Sequence, residues 1–319
     1  MHPVDRAASL LFRFGPASLK VFQDGWGDED LIEALAVDDT TPPPAPITIT
    51  WNDAVGIDEV VTRDGTFPSP ADHLPAASRM AGVRMVAPHV PDGRLVVIMA
   101  AWNDHGFDTR TGLATRLATR GVTTVMLENP YYGTRRAWDD PPIRTVADFA
   151  VMGRAAVAEG RALLAHFAPD HPVGIAGYSM GGNIAALIGA LMDRPVAIAA
   201  LAASHSPAPV WTAGIIRHMV DWDALGGPDE TGRLRDTLLR ATVLAVPAPA
   251  HTATAVVVGG TKDGYIPRRA VEDFHAHWPG SELRWLPAGH ATMIWRHKDA
   301  LTDAIVASLD RTFGGAGTR

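Results

Sequence analysis

A chain of 319 residues with 47% apolar and 20% charged residues can bury a sizeable core as one large α/β domain with an extension, or as two small domains. Its formal net charge of −7, without a Lys/Arg block, argues against a nucleic-acid partner, and the absence of cysteine excludes disulfides, thiolate catalysis and Cys-ligated zinc. No apolar run reaches the roughly 18 residues of a membrane span, and Met1-His2-Pro3-Val4-Asp5-Arg6 lacks a secretory pattern, so a soluble cytoplasmic protein is expected.

The first 46 residues form a predicted helical arm ending in a stiff spacer. Leu10, Leu11, Phe14, Leu19 and Phe22 recur at helical spacing, and a short helix is expected over 31–35 after Gly25-Trp26-Gly27. Such an arm can dock on the body of the protein or lie on a membrane surface; with only Arg6, Arg13 and Lys20 basic, docking is favoured. The spacer is Pro42-Pro43-Pro44-Ala45-Pro46. Beyond it, 47–51 and 83–86 alternate apolar and polar residues, as half-exposed antiparallel edge strands do.

From Leu95 the pattern changes. Residues 95–101, 122–127, 173–176, 196–202 and 255–258 are short apolar runs rich in branched side chains, the signature of strands buried on both faces of a parallel sheet. Helical patterns over 111–119, 146–167 and 183–192 separate them. A doubly wound α/β sheet over 47–319 is therefore predicted, with Ser179 at the turn after about the fifth strand and a helical cap inserted at about 205–251.

The turn is Gly177-Tyr178-Ser179-Met180-Gly181, which matches G-x-S-x-G. In a chain with 30 glycines the pattern alone is weak; its setting between a buried strand and a helix strengthens it. There the serine sits in a strained sharp turn, with its hydroxyl exposed and glycines letting strand and helix pass closely. A nucleophilic serine needs a base and the base needs an orienter, following in the order serine, acid, histidine at later strand ends. Asp263, after the strand at 255–258, and His290, in the loop that a further strand from Glu282 runs into, fit that order. The rivals are His105, His205 and His251 for the base and Asp221 and Asp223 for the acid. An oxyanion hole would use the backbone N–H of Met180 and a second N–H from the loop at 100–106, with Trp102 the first choice and Asn103 the fallback.

These residues resemble the α/β-hydrolase fold, and more narrowly the α/β-hydrolase-domain-containing protein 18 group of serine hydrolases. Gly25-Trp26-Gly27-Asp28-Glu29-Asp30-Leu31, Asp104-His105-Gly106-Phe107, Glu128-Asn129-Pro130-Tyr131-Tyr132-Gly133, Val146-Ala147-Asp148-Phe149 with Met152, Gly153 and Glu159, and the elbow carry the resemblance. It runs over about 25–295, and the Glu-Asn-Pro-Tyr-Tyr-Gly segment is much more specific than the elbow. One departure is Ala101-Trp102-Asn103, where Gly-x-Gly is usual. The resemblance gives Tyr131, Tyr132 and Arg135 two readings, as pocket lining or as a rigid turn. Asn103, His105, Tyr178 and Trp211 are further candidates for substrate contact, with Trp211 in an apolar roof over the serine.

The expected activity is hydrolysis of a carboxylic ester, lipid esters included, through Ser179, His290 and Asp263, with no metal or organic cofactor and a small-molecule or lipid acyl ester as partner. Thioester cleavage, amide cleavage and acyl transfer on the same residues stay open, as does a non-catalytic binding protein of the same fold.

Overall fold

Branched apolar runs with polar turns at their ends pair into sheets when helices cover both faces, and this chain folds that way. A computed structural model describes residues 1–16, 19–34, 36, 41–57, 59–138 and 141–314. The strands are β1 (Thr50–Trp51), β2 (Val55–Ile57), β3 (Val60–Pro68), β4 (Met80–Pro88), β5 (Leu95–Met99), β6 (Thr123–Leu127), β7 (Val173–Tyr178), β8 (Ala197–Leu201), β9 (Val256–Gly260) and β10 (Glu282–Leu286). The α-helices are α1 (Pro3–Phe14), α2 (Glu29–Ala34), α3 (Asp108–Ala118), α4 (Val146–Phe167), α5 (Met180–Ala190), α6 (Ala208–Thr212), α7 (Trp222–Leu225), α8 (Thr231–Leu238), α9 (Arg268–His277), α10 (His290–Arg296) and α11 (Lys298–Phe313). Leu35, expected to close the second helix, lies outside the described residues.

The sheet runs β1-β3-β4-β6-β5-β7-β8-β9-β10, with β2 paired to β3. The six strands from β6 to β10 are mutually parallel, and β3 and β4 join antiparallel. Helices α4, α5 and α9 cover one face and α3 and α11 the other. Every residue of β5, β6, β7, β8 and β9 is buried, in keeping with runs that are apolar but for Thr123 and Thr124 of β6. The chain passes from β5 to β6 on one side and returns with β7 on the other side of β5. Loops leaving β5 and β7 therefore diverge, opening a crevice at the carboxyl ends of the strands.

Four expectations are corrected. The elbow follows the seventh strand, not about the fifth, because β2 and β3 escaped notice: β3 carries Arg63, Asp64 and Gly65 within a half-exposed ribbon, which blurs its alternation. The segment at 83–86 belongs to the nine-residue β4, which lies between β3 and β6 and is not an edge strand. Only Thr50–Trp51 of the segment 47–51 pairs with β3. The helix expected from Asn183 starts at Met180, since the chain turns straight from Ser179 into α5.

The arm docks, but with the face opposite to the expected one. Leu10, Leu11 and Phe14 are 60%, 54% and 74% exposed, whereas Asp5 is fully buried. At 100° per residue Asp5, Ala8 and Phe12 share one side of α1 while Leu10, Leu11 and Phe14 occupy the other. Phe22, further along, is fully buried against Phe149 and Trp211. Between β8 and β9 the helices α6, α7 and α8 pack with the arm into an apolar cluster above the sheet's carboxyl edge. Among the described residues no helix is long and apolar enough to cross a membrane.

Candidate active site

At the end of β7, Ser179 has φ 57° and ψ −119°, a conformation that costs a non-glycine residue about 1–3 kcal/mol and persists only where its surroundings hold it. The surroundings are specific. Ser179 N–H donates to Leu201 O at 2.9 Å, which fastens the turn to β8, and its own carbonyl accepts from Gly182 and Asn183 at 3.0 and 3.2 Å. A Cβ on Gly177 would strike the backbone of Gly181; one on Gly181 would lie 2.5 Å from Met99 O, and one on Gly182 would lie 2.7 Å from the Ala203 methyl. These three glycines are therefore steric requirements of the turn.

Asp263 and His290 arrive from the loops after β9 and β10. His290 Nε2 lies 2.9 Å from Ser179 Oγ, and its Nδ1 lies 2.8 Å from Asp263 Oδ2. The second carboxylate oxygen of Asp263 accepts from Tyr265 N and Ile266 N at 2.8 and 2.9 Å, which fixes the carboxylate plane. The Tyr265 ring stacks on the imidazole, with centroids 4.6 Å apart and planes 23° apart. Tyr178 O–H donates to His290 O. Burial, helped by the Asp5 and Asp263 charges, pushes the Tyr265 phenol up to about 12, and burial raises Tyr178 as well, so both rings stay neutral donors at ordinary pH.

The loop after β5 is held from beneath. Asp104 and Arg110 form a buried ion pair at 2.7 Å, and the same guanidinium donates to Ile98 O, Leu127 O and Gly106 O. Asn129 Nδ2 donates to Ala101 O at 2.9 Å. Asn103 takes a left-handed φ of 61°, a strained position beside the serine. As the first residue of α5, Met180 has an N–H with no intrahelical partner.

Ser179 opens into a cavity of about 420 Å³ lined by Trp102, Asn103, Phe149, Tyr178, Met180, Trp211, Ile216, Tyr265, His290 and Trp295, a mostly apolar wall. Phe149, Met180, Asn183 and Pro207 also line a second apolar cavity of about 60 Å³ behind them. Among the described residues no cluster of three or more His, Asp or Glu could hold a metal ion.

The model of the family described as "Alpha/beta hydrolase domain containing 18" matches residues 19–246 and 229–311. The chain belongs to that family. Solved structures similar in fold include acetyl xylan esterase 1 from Thermoanaerobacterium sp. JW/SL YS485, at 14% identity and TM-score 0.60, covering 92% of this chain and 97% of that one. An acetyl xylan esterase from Paenibacillus sp. R4 matches at 14% identity and TM-score 0.60, covering 91% and 98%. A cold-adapted esterase from an Arctic intertidal metagenomic library matches at 14% identity and TM-score 0.51, covering 80% and 99%. At such identities the likeness is one of fold.

In this member of the alpha/beta hydrolase domain containing 18 family, the Glu-Asn-Pro-Tyr-Tyr-Gly segment serves as scaffolding. Glu128 accepts from Thr134 N and Oγ1 at 2.9 and 2.6 Å, and a Cβ on Gly133, whose φ is 53°, would collide with its carboxylate. Arg135 pairs with Glu159 of α4 at 2.6 Å, both fully buried, and donates to Ser78 O and Glu128 O. Tyr131 packs against Trp138 and lines neither cavity. Tyr132 is fully buried and meets His105 edge-on, and the two line a separate depression on the far side of Trp102 and Asn103. Of the residues singled out for substrate contact, then, Asn103, Tyr178 and Trp211 face the serine cavity; His105, Tyr131 and Tyr132 do not.

Four of the five rival groups have partners of their own. His105 Nε2 meets Asn103 Oδ1, His205 Nδ1 meets Thr242 Oγ1, His251 Nε2 accepts from Val196 N, and Asp221 caps α7. Sequence reasoning missed Phe149, Trp295 and Asp5. Phe149 reads as one more apolar position on α4, Trp295 lies beyond the last predicted strand, and Asp5 sits in an arm read for its apolar residues.

Proposed function

We propose that this chain is a serine hydrolase that cleaves carboxylic esters through an acyl-enzyme. The observation that carries the reading is the continuous series from Ser179 Oγ to His290 Nε2 at 2.9 Å and from His290 Nδ1 to Asp263 at 2.8 Å. In this reading Ser179 attacks the ester carbonyl, His290 takes its proton and returns it to the leaving alcohol, and Asp263 holds the tautomer with Nε2 free to accept. The backbone N–H groups of Met180 and Trp102 bind the oxyanion, each contributing about 2.7–4 kcal/mol of transition-state stabilisation. Water then attacks the acyl-enzyme with His290 again as base. The apolar cavity wall suits an acyl chain, residues 205–251 serve as its cap, and residues 1–46 act as an arm on the hydrolase domain at 47–319.

The test is labelling of the intact protein with a fluorophosphonate, followed by hydrolysis of p-nitrophenyl esters of rising chain length. Modification at Ser179, abolished together with hydrolysis in Ser179→Ala, is the expected result. An unlabelled protein, or ester cleavage unchanged in Ser179→Ala, would sink the proposal.

A further inference from the structure

The carboxylate of Asp5 is fully buried, yet it belongs to neither the serine, the acid nor the base. Its Oδ2 accepts from Gly264 N and His290 N, both at 2.9 Å, and its Oδ1 accepts from Ala291 N at 3.3 Å. One side chain from α1 thus joins the residue after Asp263 to His290 itself and to the residue after it. Both loops leave room for this helix. A Cβ on Gly264 would lie 2.6 Å from Met1 Sδ and 3.2 Å from Asp5 Cβ; one on Gly289 would strike His2 and lie 2.9 Å from Asp5 Oδ2. His2 N donates to Lys262 O at 2.8 Å, a further bond between the arm and the acid loop. Backbone N–H groups of two separate loops, that of His290 buried and those of Gly264 and Ala291 half-buried, need acceptors, and a carboxylate, which only accepts, can take several.

We propose that Asp5 is a positioning residue that sets the acid and histidine loops at their working separation. This rests on the reading of Ser179, His290 and Asp263 as the hydrolytic residues. Asp5 does not touch the reacting atoms; it acts through the backbones of the two loops, whose 2.8 Å Asp263–His290 contact depends on their relative placement. Residue 5 precedes the family match, which starts at 19, so the device belongs to the arm of this chain.

The test uses the full-length protein carrying Asp5→Asn, which keeps the shape but turns one acceptor into an NH2 facing a backbone N–H. Expected are falls of about tenfold or more in kcat for a p-nitrophenyl ester and in the rate of Ser179 labelling by a fluorophosphonate, with KM within about twofold of wild type. The low-field proton resonance of the His290 Nδ1–H to Asp263 bond should shift or broaden. Phe12→Ala is the comparison: it loosens α1 where Phe12 meets Tyr265 edge-on at 6.1 Å, without altering the carboxylate. Should Asp5→Asn not fold, Asp5→Glu displaces both acceptor oxygens by a methylene and carries the same readouts. The proposal is overturned if the Asp5 variant keeps kcat and the proton resonance, or if Phe12→Ala reproduces both changes in full. A wild type that neither takes the probe nor cleaves esters overturns the hydrolase reading instead, and the resonance then decides the role of Asp5.

Discussion

Replacing Asp263 with Asn should silence the site while leaving it in place, for a reason visible in its hydrogen bonds. Oδ1 of Asp263 accepts two backbone N–H groups, at 2.8 and 2.9 Å, and Oδ2 faces His290 Nδ1 at 2.8 Å. In Asp263→Asn only one oxygen remains. If it faces His290, the NH2 confronts two buried donors, each mismatch costing about 1–3 kcal/mol. The opposite orientation is then favoured by at least about 2 kcal/mol, a factor of about 30. That orientation aims the NH2 at Nδ1, which must accept, so Nε2 carries the proton and cannot take one from Ser179. A fall of about 10⁴ in kcat is expected, about 5.4 kcal/mol in barrier, with KM little changed. Steady-state hydrolysis of a p-nitrophenyl ester reads the loss, and ¹⁵N NMR of the imidazole reads the tautomer. An Asp263→Asn protein within tenfold of wild-type kcat would refute the reasoning.

The remaining predictions separate stability from chemistry. Glu159→Ala strands the buried Arg135 guanidinium and should cost about 3–5 kcal/mol in chemical denaturation, an effect absent if the pair is solvated. Trp295 is 60% exposed on the cavity wall, so Trp295→Ala should leave the thermal midpoint unchanged while raising KM for longer esters up to about tenfold, from a lost contact of about 1–1.5 kcal/mol; an unchanged KM would remove it from the binding surface. Burial holds the His205 imidazole below its ordinary 6.5. The unfolded chain therefore takes up that proton first as pH falls, so the stabilisation is present above about 6.5 and is lost from there down toward the lowered folded value. His205→Gln should flatten the slope of stability against pH in that window, measured by urea titration, and an unaltered slope would contradict it.

Much of the architecture was legible because burial on both faces leaves a mark on local composition. The runs forming β5 to β9, the full length of α4, and the order Ser179, Asp263, His290 could each be read along the chain. Glycines 177 and 181 marked the turn because close approach of backbones tolerates no Cβ. β3 was missed because an antiparallel strand with one solvated face carries a diluted pattern, interrupted here by Arg63, Asp64 and Gly65.

What remained hidden depended on partners far apart in sequence. Chain order favours His290 over His105 and His205, but the contact with Ser179 spans 111 residues and no local pattern reports it. The outward turn of Leu10, Leu11 and Phe14 follows from a polar anchor on the other side of α1, where Asp5 meets a histidine loop 285 residues away. Helical periodicity says which residues share a face but not which face the rest of the fold has acceptors or donors to meet. The sequence by itself therefore determined the parallel strands β5 to β9, the turn at Ser179, and the order in which Ser179, Asp263 and His290 follow one another. Only the tertiary structure decided that His290 lies within hydrogen-bond distance of Ser179, which walls line the cavity, and that the arm reaches the histidine loop through a carboxylate, because each is a matter of long-range packing and of satisfying buried polar groups.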